Sequence, residues 1–114
     1  MPHIIVEYSR NIGDVAEISD LVLNLHNALA DAGIDKTRIK TRAVVSDYVA
    51  VGEHELHGHM LHTTLLLLEG RDVPTKDKYG QALLKELNTF VEGVFKDCAV
   101  SLEVRDMSKD TYYQ

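Results

Sequence analysis

Cysteine occurs once in the 114 residues, at position 98. A lone thiol closes no internal disulfide, and the N-terminus carries no charged-then-apolar leader, so the sequence reads as cytoplasmic with Cys98 as a small core residue. Long hydrophobic runs are missing as well. The longest, Leu65 to Leu68, is far short of the roughly 20 apolar residues that span a bilayer, so no membrane partner is expected. Positive charge is in the minority, with 12 Lys and Arg against 18 Asp and Glu and a formal net charge of -6. That balance argues against general nucleic-acid binding, which needs clustered cations to neutralise phosphates, and any anion site must be locally positive on an acidic chain. Proline is scarce too. There are two, and one of them is residue 2.

What is present begins with that proline. Met1-Pro2 runs directly into His3-Ile4-Ile5-Val6-Glu7-Tyr8, a strand-like segment. Removal of Met1 would leave Pro2 with a free secondary amine, a base that needs no side chain. An α-amino group titrates near 8, and burial or neighbouring cations lower that value by disfavouring the charged form. A base poised near neutrality suits proton shuttling. Many second-position prolines merely permit methionine removal, and a chain that keeps Met1 holds an amide nitrogen there, which is no base.

The length predicts one domain over 1–114, and 45% hydrophobic with 26% charged residues is an ordinary globular balance. After the first strand, Val15, Ile18, Val22, Leu25 and Leu29 recur at helical spacing, with Asp14 and Glu17 as a capping box and Gly33 as a stop. A second strand is expected from about Arg38 to Val45. The order then repeats: a strand over 59–68, a turn through Gly70, Arg71 and Pro74, a helix capped by Thr75 with Tyr79, Leu83, Leu87, Phe90, Val91 and Val94 on one side, and a closing strand over 99–104. Two tandem β-α-β units forming a four-stranded sheet, with both helices on one face, give an α/β architecture. The Leu65 to Leu68 run suggests a strand buried on both faces. Since two helices cover one face, the other is expected to be apolar and to be covered by further copies of the chain.

Candidate cations follow from position. Lys40 and Arg42, two apart on a strand, share a face, and Arg71 follows Gly70 at the end of the third strand. The opening Pro2-His3-Ile4-Ile5-Val6-Glu7-Tyr8-Ser9, the doubled layout, and His62-Thr63-Thr64-Leu65 leading to Gly70-Arg71 together resemble the 5-carboxymethyl-2-hydroxymuconate isomerase family of the tautomerase superfamily. The resemblance implies a homotrimer, Pro2 as catalytic base, and arginines that hold the carboxylates of a small di- or tricarboxylate substrate, with no metal or organic cofactor. Arg71 matches the family position. The second family arginine lies in a segment resembling Ile-Arg-Ser-Arg, which reads Ile39-Lys40-Thr41-Arg42 here, so Lys40 takes its place and Arg42 is kept. A lysine preserves the charge but not the bidentate fork. The implied reaction is enol-to-keto isomerisation in the breakdown of homoprotocatechuate-type aromatic acids.

Three other readings compete. His54, His57, His59 and His62 invite a metal, but His54-Glu55-Leu56-His57 is one residue short of the helical H-E-x-x-H motif and Gly58 opposes a helix there. Decarboxylation or hydration of a small unsaturated acid could use the same proline and arginine. A trimeric binding protein without catalysis is the third. His3 and Glu7 carry no assigned chemistry, and hydrogen bonding or packing is expected of His3.

Overall fold

A computed structural model describes residues 1–114. Four strands form one sheet in the order β2-β1-β3-β4: β1 (His3–Ser9), β2 (Lys40–Ser46), β3 (His59–Leu68) and β4 (Cys98–Met107). β1 runs parallel to β2 and β3 parallel to β4, while β1 and β3 meet antiparallel at the centre. Each parallel pair is spanned by a long helix, α2 (Ile18–Asp31) or α3 (Val73–Val91), and a single-turn helix α1 (Arg10–Gly13) follows β1. This is the expected doubled β-α-β sheet. Neither long helix is apolar enough to cross a membrane.

The period-two alternation of the strands sorts the residues. Ile4 and Val6 of β1 and Leu61, Leu65 and Leu67 of β3 turn towards the helices and are fully buried, meeting Leu21, Leu25 and Leu29 of α2 and Leu83 and Leu87 of α3. The stripe on α2 differs from the expected one. The helix begins at Ile18, so Val15 precedes it and is 67% exposed, and Leu21 rather than Val22 joins Leu25 and Leu29. Because Leu25 lies at the centre of this layer with no exposed surface, Leu25→Ala is expected to cost about 2–5 kcal/mol through lost burial and an unfilled cavity, measurable by urea denaturation.

Helix ends follow local chemistry, and two expected caps are corrected. Asp14 and Glu17 form no capping box; Glu17 is the N-cap residue of α2, its side chain makes no capping bond, and its carboxylate instead accepts from the Ser19 hydroxyl. For α3 the cap is Asp72, whose carboxylate accepts from the Thr75 amide at 2.9 Å, so Thr75 is the capped residue. With Pro74 in the first turn, where its missing N–H is not needed, α3 starts sharply. Val94, expected on its inner side, lies beyond the helix and is 53% exposed. Gly33 does end α2: at φ +120° it lets its own amide reach the Ala30 carbonyl and that of Ile34 reach the Leu29 carbonyl, a Schellman closure.

The open face of the sheet overturns another expectation. Leu65 and Leu67 are buried but Leu66 and Leu68, on the other side, are only half-buried. Cross-strand register aligns Lys40, His3, Leu66 and Arg105 in one row, Arg42, Ile5, Thr64 and Glu103 in the next, and Val44, Glu7, His62 and Ser101 in a third. The face is therefore mostly polar, so an uncovered apolar sheet is not a reason for oligomerisation here. The leucine run reflects β-strand alternation with two leucines spilling onto a mixed surface.

Candidate active site

Three of the residues singled out from the sequence, Pro2, Lys40 and Arg71, gather at the end of the sheet where β1 begins. Pro2 is buried, and its carbonyl accepts from the Lys40 amide at 3.1 Å, which extends the β1–β2 pairing one step beyond the strands. Next to it lies the chain's amino group, held here by Met1. Partial burial first, then the charges of Arg38, Arg71 and Lys40, hold that amine below its ordinary value. These three cations come from different places: Lys40 from the first position of β2, Arg71 from the β3–α3 turn, and Arg38 from the 3-10 turn Lys36–Arg38 that leads into β2.

That turn is why β2 starts at Lys40 rather than at Arg38 as expected. Asp35 caps it, its carboxylate accepting from the amide and hydroxyl of Thr37 at 3.1 and 2.8 Å. Arg38 thereby leaves the strand alternation and reaches the amino end. Sequence reasoning passed over Arg38 as a strand residue, although three cations at alternate positions, Arg38, Lys40 and Arg42, were there to be noticed. Arg71 reaches only the Leu68 carbonyl, at 3.4 Å, and neither it nor Lys40 has a carboxylate partner, while Arg38 pairs loosely with Asp35 at 3.7 Å across exposed surface. A net-negative protein thus keeps two cations, Lys40 and Arg71, unneutralised at one point. Such a pair attracts and orients carboxylates.

Arg42 goes elsewhere. It shares the open face with Lys40, as expected from their spacing, but its guanidinium lies 3.1 Å from His3 Nδ1. On the other side of the ring, His3 Nε2 lies 2.8 Å from the Tyr112 hydroxyl, and the two rings meet edge to face. Burial, then Arg42, Lys40 and the amino terminus, push the imidazole below its usual titration range, which favours its neutral form. The hydrogen-bonding part expected of His3 is what the fold shows.

The histidine-bearing segment lies apart. It follows β2 and precedes β3, at the far end of β1 from Pro2, a strand length of about 20 Å at about 3.3 Å per residue. Val51 and Glu55 bridge there, and Gly58 is packed so closely that a side-chain carbon would sit 2.4 Å from the Val51 Cβ. His54, His57 and His59 border a shallow depression with Lys96 and Asp97, and no three His, Cys, Asp or Glu side chains converge as a ligand set. A separate hollow of about 550 Å³ lies between α3 and β4, bordered by Gly80, Leu84 and Val104.

Comparison with known proteins accords with this geometry. The family model for 5-carboxymethyl-2-hydroxymuconate isomerase matches residues 2–114. The 5-carboxymethyl-2-hydroxymuconate Delta-isomerase of Escherichia coli is 28% identical over 112 residues, covering 94% of this chain and 87% of that one. Among solved structures, a 5-carboxymethyl-2-hydroxymuconate isomerase from Deinococcus radiodurans R1 superposes with a TM-score of 0.85 at 24% identity, covering 99% of this chain and 87% of that one. A fused 4-OT asymmetric trimer shares the fold at a TM-score of 0.74 and 12% identity, covering 98% and 91%. With the family match running through the proline, the cation-bearing strand and the Gly70-Arg71 turn, the chain belongs to the 5-carboxymethyl-2-hydroxymuconate isomerase family, enzymes of the tautomerase superfamily.

Proposed function

We propose that this protein isomerises 5-carboxymethyl-2-hydroxymuconate from its enol to its keto form, with the Pro2 amine as general base once Met1 is removed. The observation that carries the reading is the convergence of Arg38, Lys40 and Arg71 on the amino terminus, where burial and these charges hold the Met1 amine below its ordinary value. The neutral amine takes the proton of the substrate's 2-hydroxyl. Electrons move through the conjugated chain, and the resulting dienolate is reprotonated at a distant carbon by the same nitrogen. No net proton is gained or lost, and the chemistry calls for no redox step.

The cations act twice. Arg71 and Lys40 anchor carboxylates and stabilise the negative charge that spreads over the dienolate, and the same charges disfavour the ammonium form of the base. Arg38 joins them as a third positive group. Arg42 acts at one remove, through His3. The working unit in this reading is a homotrimer, supported by the solved 4-OT assemblies described as trimers that share the fold, and the site is cytoplasmic.

Ultraviolet-monitored conversion of 5-carboxymethyl-2-hydroxymuconate, by protein whose intact mass begins at Pro2, tests the reading directly. Turnover is expected, and its absence would remove the proposal. The pH dependence carries a second expectation. A base of lowered pKa is neutral down to a lower pH, so kcat/KM should fall on an acid limb whose midpoint lies below the ordinary α-amino value of about 8. A limb at or above pH 8 would mean that the cations do not act on the base.

A further inference from the structure

The segment after β4 is built into the same corner as the amino terminus. The Glu69 amide donates to the Met107 carbonyl at 3.0 Å, and the Glu69 carboxylate accepts from the Lys109 amide at 2.8 Å. A turn follows, closed by the Thr111 amide on the Ser108 carbonyl. These bonds tie the segment to the β3–α3 turn that holds Arg71, and Lys109 Nζ lies beside Gly70. From there the chain delivers Tyr112 to His3. The two neighbouring tyrosines part company: Tyr113 is 84% exposed, whereas Tyr112 is half-buried with its hydroxyl on the imidazole.

The direction of that hydrogen bond can be deduced. A guanidinium has donors and no acceptor, so the 3.1 Å contact between Arg42 and His3 requires His3 Nδ1 to present its lone pair. A neutral imidazole with an accepting Nδ1 carries its proton on Nε2. Nε2–H therefore donates to the Tyr112 oxygen. A tyrosine hydroxyl that accepts from one side has its own proton left to give, and here nothing in the chain takes it.

Resting on the isomerase reading, we propose that Tyr112 is a substrate-binding residue whose hydroxyl donates to a substrate carboxylate, held in donor orientation by the chain Arg42 to His3 to Tyr112. Arg42 and His3 are positioning residues in this arrangement. They also polarise the hydroxyl in the donating sense, since each hydrogen bond in such a chain strengthens the next. The cations beside Pro2 supply charge, and Tyr112 supplies a directed neutral donor. A carboxylate carries its charge before, during and after proton transfer, so losing this contact should weaken binding more than it slows chemistry.

Steady-state kinetics of Tyr112→Phe and His3→Gln, with nitrogen-15 NMR of His3 in the wild-type protein, tests this. Tyr112→Phe keeps the ring and removes the proton: KM should rise about 10- to 100-fold, as for one hydrogen bond to a charged group, with kcat within about 3-fold. His3→Gln, which can place an N–H near the position of Nε2, should lose less than Tyr112→Phe. The NMR spectrum should show Nε2 protonated and Nδ1 bare. A Tyr112→Phe KM within 2-fold of wild type, or a proton on His3 Nδ1, would overturn the assignment. If the wild-type protein does not turn over 5-carboxymethyl-2-hydroxymuconate, it is the isomerase reading that fails. Tyr112 is then decided by adipate as a simple dicarboxylate probe: weaker binding to Tyr112→Phe supports the donor, and equal binding rejects it.

Discussion

Protein that retains Met1 is expected to turn over 5-carboxymethyl-2-hydroxymuconate at least about 100-fold more slowly than protein beginning at Pro2, the low end of what general-base catalysis contributes. Two effects combine. The nitrogen of Pro2 becomes an amide, whose lone pair is delocalised into the carbonyl and does not accept a proton near neutrality. The primary amine of Met1 is itself held below its ordinary value by partial burial and then by the same cations, yet it lies one residue away from the position the proline nitrogen takes in the processed chain. A misplaced base loses much of its advantage, because proton transfer needs the donor and acceptor within hydrogen-bond reach. The two forms differ by one methionine in mass, so intact-mass measurement paired with initial rates separates them. Equal rates would show that Pro2 is not the base.

Replacing Arg71 by alanine is expected to lower kcat/KM by about 100- to 1000-fold, the range seen when one preorganised group facing developing negative charge is removed. Arg71 is chosen because it lacks a carboxylate partner, so its charge is not already neutralised within the chain. The same substitution has a second, separable effect. Removing a positive neighbour stabilises the protonated amine, so the pKa of the base rises and the acid limb of kcat/KM moves to higher pH. Arg38→Ala should reproduce the shift of the limb, since Arg38 is the first of the charges acting on the amine. A loss of rate in Arg71→Ala with an unmoved limb would separate substrate anchoring from tuning of the base. Neither variant should unfold, because neither arginine belongs to the buried core.

Much of the scaffold could be read from residue order. The apolar segments 3–8 and 59–68, the stripes containing Leu25, Leu29, Leu83 and Leu87, and the stop at Gly33 depend on local periodicity and backbone freedom, both properties of neighbouring residues. The doubled order of elements then limits the topology to few arrangements. Errors fell where two local solutions compete. Asp14 with Glu17 and Thr75 all have capping chemistry, and which residue caps depends on where the chain enters the helix; the entries turned out to lie at Glu17 and Asp72. The leucine run misled because hydrophobicity alone does not reveal what the neighbouring strands contribute to the same face.

Residue order placed Pro2, Lys40 and Arg71 as candidates because each has chemistry of its own: a secondary amine, a strand cation, a cation after a glycine turn. It also placed Lys40 and Arg42 on one face, since alternation is intrinsic to a strand. It could not say which cations meet at the amine. Arg38 arrives through a 3-10 turn capped by Asp35, and Arg42 turns to His3. Nor could it bring Tyr112, 109 residues from His3, to the imidazole. Those meetings depend on β1 lying between β2 and β3 and on Glu69 holding the last segment against the Arg71 turn. Local preferences extend over a few residues, whereas electrostatic convergence is a sum over distances that exist only once the sheet has closed.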